Sequence, residues 1–162
     1  MTDSMDERFI EGLAELYDTE RRLEEALGRL VEETDHEAAS RAFSQHRRVT
    51  RKQAERLERV FDLVGTEPTT AEDQAVAAML AEHEQFAADN DGEVLDRYNM
   101  GLGQRLEHYE IAAYESLVSR AGRAGHHEAG ELLAEAIREE KIALDAVTEA
   151  SEQFDRHVVA GE

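Results

Sequence analysis

Apolar residues recur every three to four positions along four long stretches of this chain, and each stretch is interrupted by polar residues at its middle. In the first stretch the repeating positions are Phe9, Leu13, Leu16, Glu20, Leu23, Leu27 and Leu30. In the second they are Phe43, His46, Thr50, Gln53, Leu57, Val60 and Val64. This spacing is typical of amphipathic α-helices that bury one face. We therefore predict helices whose core faces are apolar at both ends and polar in the centre.

The last two stretches repeat the pattern with acidic residues. Glu110 lies between Leu106 and Leu117, and Glu140 lies between Leu133 and Val147. A shorter stripe consists of Met79, Glu82 and Phe86. An unpaired carboxylate in an apolar core costs several kcal/mol or stays protonated. Acids that recur in core stripes therefore require a shared partner.

The connections between these stretches predict the topology. We predict long helices over about residues 6–33, 36–64, 93–120 and 126–156, and a short helix over about residues 71–88. The first two and the last two long helices are joined by short turns, so each pair forms an antiparallel hairpin. The long middle connection can run back along the bundle. We therefore predict an all-α, ferritin-like four-helix bundle, a single domain over residues 1–162 with the short extra helix in its crossover.

The heights of the polar residues support this arrangement. In a hairpin, residues equally distant from the turn lie at equal height. Glu20 and the polar group on the second helix are each about fifteen residues from the first turn. Glu110 and Glu140 are about as far from the second turn. The polar centres of both hairpins are therefore expected at the middle of the bundle.

Carboxylates and imidazole around a pocket rich in oxygen suit iron or manganese, and also zinc. The chain has no cysteine, so thiolate ligands are excluded. The candidate ligands are Glu20, His46, Gln53, Glu82, Glu107, Glu110, Glu139 and Glu140. The alternative is a buried hydrogen-bond network without metal. The other histidines, His83 among them, are expected to be solvated at helix ends or on polar faces.

The formal net charge of −20 argues against binding to nucleic acid or to anionic membranes, which rely on clustered basic residues. Only two of the eighteen basic residues are lysines, Lys52 and Lys141. This balance favours a protein adapted to a salty cytoplasm, in which ions screen the repulsion between surface acids. No apolar run approaches the ~20 residues that span a bilayer. We expect a cytoplasmic protein.

Four segments carry a resemblance to a known family. They are LYDTERRLEEAL (16–27), QAERLERVFDLVG (53–65), LEHYEIAAYESL (106–117) and EEK (139–141). They resemble the YciE/YciF family, the ferritin-like DUF892 group. The resemblance implies a ferritin-like bundle, usually dimeric, with a di-metal centre and a link to stress response.

The resemblance also reveals a departure. Family members often have glutamate where this chain has Val49, and some have histidine where it has Gln53. Neither the second nor the last long helix offers the Glu-x-x-His pair of ferritin-type centres. The site therefore binds one metal, binds two weakly, or is vestigial.

Two functions remain open at this point. The first is an iron-binding bundle with ferroxidase or peroxide-scavenging activity, for which dioxygen or peroxide would be the oxidant. The second is a non-catalytic structural or interaction protein with a degenerate site. In either case we expect a homodimer, and the edge formed by Tyr114, Leu117 and Val118 is a candidate contact.

Overall fold

The structure is a computed structural model that describes residues 2–161, with side chains described for residues 4–158. Residues 1 and 162 of the predicted domain lie outside the described residues. The described chain contains no strand and forms five helices, which are α1 (Thr2–Glu33), α2 (Glu37–Leu63), α3 (Gln74–Asp89), α4 (Gly92–Ala124) and α5 (His127–Gly161). The predicted order of four long helices and one short crossover helix is confirmed.

The helices begin and end where local chemistry satisfies free backbone groups. The Asp73 carboxylate accepts hydrogen bonds from the N–H groups of Ala75 and Val76 at the start of α3. Gly65, after α2, and Gly125, after α4, have φ angles of 76° and 82°. This left-handed conformation closes a helix end and favours glycine. Gly125 thus ends α4 at the short turn of the second hairpin, and Gly65 ends α2 before the crossover.

The four long helices form two hairpins, α1–α2 and α4–α5, packed side by side. Helix α2 packs against α5, and α1 packs against α4. In all four adjacent pairs, residues early in one helix contact residues late in its neighbour, so neighbours run antiparallel. Helices α2 and α4 are diagonal and therefore parallel. This is the ferritin-like arrangement, with α3 in the crossover.

The crossover helix α3 turns a different face inward from the one its sequence suggested. Its buried side chains are Val76, Leu80 and His83, whereas Glu82 is exposed. His83 is 1% exposed, and its Nε2 lies 2.8 Å from a carboxylate oxygen of Glu33 on α1. The expectation that His83 is solvated is wrong, because α3 is rotated by about one residue, roughly 100°, from the predicted orientation.

Two apolar layers enclose the middle of the bundle. One lies near the ends of α2 and α4 and includes Phe9, Leu13, Leu57, Phe61, Tyr114, Leu117 and Leu133. The other lies near their starts and includes Leu23, Leu27, Phe43, Leu102, Leu106, Val147 and Phe154. Tyr114 and Leu117 are thus core residues. The predicted dimer edge that contained them is wrong, because both side chains are buried.

No helix among the described residues is long and apolar enough to cross a membrane. The long helices instead have polar outer faces.

A buried aspartate fixes the turn of the first hairpin to α4. Asp96 is 4% exposed. Its two carboxylate oxygens accept hydrogen bonds from the backbone N–H groups of Asp35 and His36, at 2.9 and 3.0 Å. These amides lie in the turn between α1 and α2, and Asp96 is the acceptor that the structure gives them.

We expect Asp96→Ala to lower the free energy of unfolding by about 2–3 kcal/mol, because two amides lose their charged acceptor. Urea unfolding in high salt measures this change. Asp145→Ala, which removes an exposed carboxylate from the middle of α5, is the control and should stay within about 0.5 kcal/mol of wild type. Equal stability of all three proteins would contradict this role of Asp96.

Candidate metal centre

Four buried side chains converge between the two apolar layers. His46 comes from α2, Glu107 and Glu110 come from successive turns of α4, and Glu140 comes from α5. Each contributes one nitrogen or oxygen atom to a group whose members all lie within 4.8 Å of one another. Residues three apart on a helix share a face, which is why Glu107 and Glu110 both point inward. We call His46, Glu107, Glu110 and Glu140 the central cluster.

The imidazole of His46 lies between two of these carboxylates. Its Nδ1 is 2.7 Å from Oε1 of Glu107, and its Nε2 is 3.4 Å from Oε2 of Glu140. Nε2 is buried and has no aligned hydrogen-bond partner among the described residues. The contact with Glu107 orients the ring and leaves the second nitrogen facing the cluster. A carboxylate that orients an imidazole in this way is common at metal sites.

Most carboxylate oxygens of the cluster have no donor. Within the described part of the chain, both oxygens of Glu110, both of Glu140 and Oε2 of Glu107 are buried without a hydrogen-bond partner. Ionised carboxylates cannot donate to one another, so either a proton or a cation must lie between them. The oxygen and imidazole donors fit iron, manganese or zinc. The donor atoms of the cluster and their lack of hydrogen-bond partners therefore fit a metal centre.

The electrostatics of the metal-free cluster show the same conflict. Burial, followed by repulsion from Glu140, raises the pKa of Glu110 well above its usual value. Burial likewise raises the pKa of Glu107. Burial would also raise the pKa of Glu140, but the Glu107 carboxyl and the His46 imidazole outweigh it and lower this pKa to about 2. The cluster therefore retains protons at neutral pH, which a metal ion would have to displace.

The imidazole is driven toward its charged form by the same neighbours. Burial opposes protonation of His46, but Glu107 and then Glu140 raise its pKa well above the usual value. An imidazolium cannot ligate a metal. Metal binding at His46 must therefore release a proton.

Glu20 on α1 lies beside the central cluster without belonging to it. Its side chain is fully buried, and Tyr114 donates a hydrogen bond of 3.4 Å to its Oε1. Burial, followed by repulsion from Glu140, raises the pKa of Glu20 to about 8. Its Oε2 has no hydrogen-bond partner among the described residues. A ligand role for Glu20 remains a prediction.

The structure places three other candidate ligands outside the cluster. Glu139 is held by Arg56, with nitrogen–oxygen distances of 2.6 and 3.0 Å. Gln53 is fully buried and donates to Glu139 at 3.3 Å. Glu82 is exposed on α3 and accepts a hydrogen bond from Tyr98 at 3.4 Å. The proposed inward position of Glu82 is wrong, because its face of α3 points to solvent.

Two residues around the cluster were not predicted to lie there, Arg56 and Tyr114. Arg56 lies three residues after Gln53, and Tyr114 lies four residues after Glu110. This helical spacing placed both near the polar centre. Arginine is common on outer helix faces, however, so its inward turn could be identified only from the position of Glu139.

Comparison with known proteins places this geometry in a family. The sequence profile of DUF892, a domain of unknown function, matches residues 4–158. This chain belongs to the DUF892 family. Protein YciF of Escherichia coli (strain K12) is 31% identical over 140 residues, which cover 85% of this chain and 84% of that protein.

Solved structures of similar proteins share the fold. The E. coli stress protein YciF matches with a TM-score of 0.88 and 28% identity, over 94% of this chain and 97% of that one. YcfI from Rhodopseudomonas palustris matches with a TM-score of 0.85 and 30% identity, over 89% and 92%. A protein from Xanthomonas campestris pv. campestris, at 23% identity and a TM-score of 0.74 over 96% and 95%, shows the fold alone.

The high pKa of Glu20 predicts how the stability of the metal-free bundle depends on pH. The folded state retains a proton on Glu20 up to about pH 8, whereas the ordinary pKa of a glutamate carboxyl is 4.5. Folding therefore takes up a proton in this window, and stability falls as pH rises through it. Glu20→Gln mimics the neutral form and removes this contribution.

We expect the wild-type protein and the Glu20→Gln variant to have similar free energies of unfolding near pH 5. Near pH 8 the Glu20→Gln variant should be the more stable by several kcal/mol. Urea unfolding at both pH values, with chelator and constant salt, measures the difference. If the free energies of unfolding of the two proteins differ by the same amount at both pH values, Glu20 is ionised in the folded protein.

Proposed function

We propose that this DUF892 protein binds a transition metal, with iron as the physiological ion, through His46, Glu107, Glu110 and Glu140. The observation that carries the proposal is the convergence of an imidazole and three carboxylates whose buried oxygens have no donor. A cation removes the repulsion between the carboxylates and occupies the unpartnered oxygens at once. Manganese and zinc suit the same donors.

Glu20 is the proposed additional ligand. Its raised pKa keeps Glu20 neutral as long as no metal ion is bound to the cluster. A nearby cation favours the ionised form of Glu20. Two divalent ions carry four positive charges, which balance the ionised forms of Glu20 and the three clustered carboxylates. One ion would leave Glu20 protonated. The proton on Glu20 is thus a reporter of how many metal ions are bound.

Redox chemistry is the finer part of the proposal. Bound iron supplies one-electron chemistry, and we propose Fe(II) as the substrate of oxidation by dioxygen or peroxide. The chain's own contribution is a buried pocket rich in carboxylates, which favours the more highly charged ion. The E. coli relative is called a stress protein, which supports a role for this chain in a stress response. We propose a cytoplasmic homodimer as its working form.

The alternative is a structural or interaction protein in which the cluster no longer binds metal. The solved relative YcfI is described as a candidate structural protein. Neither α2 nor α5 contains Glu-x-x-His, which also favours this alternative. In that case protons shared among the carboxylates hold the cluster together.

Metal content after Fe(II) loading distinguishes these two functions. We expect anaerobically loaded and desalted wild-type protein to retain about one or two iron ions per chain. Glu140→Ala should retain almost none, because Glu140 is the carboxylate that α5 contributes to the cluster. Glu82→Ala is the control, since Glu82 is exposed, and should keep the wild-type content. Elemental analysis gives the ratio. Equal iron in wild type and Glu140→Ala, or none in either, would contradict the proposal.

The structural alternative makes its own prediction through Glu140→Leu in the absence of metal. Replacing a whole buried ion pair by apolar side chains is often neutral or stabilising by about 1–4 kcal/mol, whereas removing one partner costs about 3–5 kcal/mol. The structural alternative predicts the loss, because Glu140 is a partner of the His46 imidazole. A higher melting temperature would show that Glu140 destabilises the metal-free bundle. A residue retained at such a cost to stability is typical of a functional site. A lower one would show that Glu140 stabilises the metal-free bundle, and would favour the structural function. Calorimetry with chelator present provides the measurement.

A further inference from the structure

The boundary between α2 and α5 carries a cationic side chain next to the central cluster. Arg56 on α2 binds Glu139 through two nitrogens, at 2.6 and 3.0 Å, and its Nε lies 3.5 Å from Glu135. The guanidinium side chain is only 11% exposed. Two carboxylates, one turn apart on α5, thus share one arginine and retain a net negative charge.

Three carboxylates of α5 decrease in exposure toward the centre of the bundle. The side chain of Glu135 is 48% exposed, that of Glu139 is 29% exposed, and Glu140 is fully buried in the cluster. In order of exposure, they lead from solvent to a proposed metal ligand. Arg56 binds the second of the three.

A buried amide lies beside Glu139. Gln53 donates through Nε2 to Glu139, while its Oε1 is buried without a hydrogen-bond partner among the described residues. A carbonyl oxygen of this kind is a ligand for a hard cation. Turning the amide by about 180° brings Oε1 to face Glu139, and the two side chains can then hold a cation between them.

We propose that Glu135, Glu139 and Gln53 form a transit site through which divalent cations reach the central cluster, and that Arg56 closes this site by competing for Glu139. The inference rests on the proposed function, since it requires that the cluster binds metal. An incoming ion takes Glu139 from Arg56 and passes to Glu140, after which the arginine pairs with Glu139 again. The occupant is a hydrated divalent cation, because the donors are carboxylate and amide oxygens.

The proposal predicts opposite kinetic effects for the two partners of one ion pair. Arg56→Gln leaves both carboxylates free to attract cations, so metal uptake should be at least about threefold faster than in wild type. Glu139→Gln removes the transit carboxylate, so uptake should be at least about threefold slower. The amount of metal bound at saturation should not change in either variant, because neither residue belongs to the central cluster.

The test mixes chelator-treated full-length protein with Zn²⁺ in a stopped-flow instrument and follows free Zn²⁺ with a colorimetric indicator. Zinc is redox-inert, so the signal reports binding alone. The matched controls are Arg51→Gln and Glu24→Gln, which break an ion pair of 2.7 Å between α2 and α1. They change the net charge equally but away from the α2–α5 boundary, and we expect uptake close to the wild-type rate.

Three results would overturn the proposal. If Arg56→Gln and Glu139→Gln change the rate in the same direction, the pair has only a packing role. If each variant matches its control, net charge alone sets the rate. If the wild-type protein binds no Zn²⁺ while the variants fold normally, the proposed function fails as well. Should Arg56→Gln not fold, the comparison of Glu139→Gln with Glu24→Gln still decides the matter.

Discussion

Repulsion between carboxylates that have been removed from water is the constraint on which this structure depends. Glu107, Glu110 and Glu140 share a pocket with His46, and Glu20 lies against it. Desolvation and mutual repulsion would each destabilise such a group if all its members were ionised. The fold can therefore retain them only with protons, with the His46 imidazolium, or with bound cations. The raised pKa values of Glu20, Glu107 and Glu110 describe the first of these solutions.

The rest of the bundle holds this pocket in place. Apolar layers above and below it bury leucine and phenylalanine from all four long helices. Such packing is dense and resists deformation, so the polar side chains cannot move apart to relieve their repulsion. Asp96 and the pair His83–Glu33 tie the α1–α2 hairpin to α4 and to the crossover helix. A preorganised set of donors at a fixed separation is what selective metal binding requires.

Much of this arrangement could be predicted from the sequence. The stripes and the distances to each turn identified the hairpins and placed Glu20, His46, Glu110 and Glu140 at one height. Those signals extend over many turns of each long helix, so a single orientation fits them. Helix α3 has only 16 residues, so two stripes fit it equally well, and the sequence does not distinguish the stripe through Met79 and Glu82 from the buried one through Val76 and His83. The adjacent pair Glu139–Glu140 shows a second limit. Helical spacing gave Glu140 the inward position, but only the location of Arg56 shows that Glu139 is held at the boundary.

The central claim is that a cation belongs between His46, Glu107, Glu110 and Glu140. The most direct test is a crystal of the protein grown with Mn²⁺ or with Fe(II) under anaerobic conditions, measured on both sides of the absorption edge of that metal. Our account predicts an anomalous difference peak about 2.0–2.2 Å from His46 and from carboxylate oxygens of the cluster. A cluster with no anomalous peak, whose carboxylates are paired through shared protons or water, would contradict it.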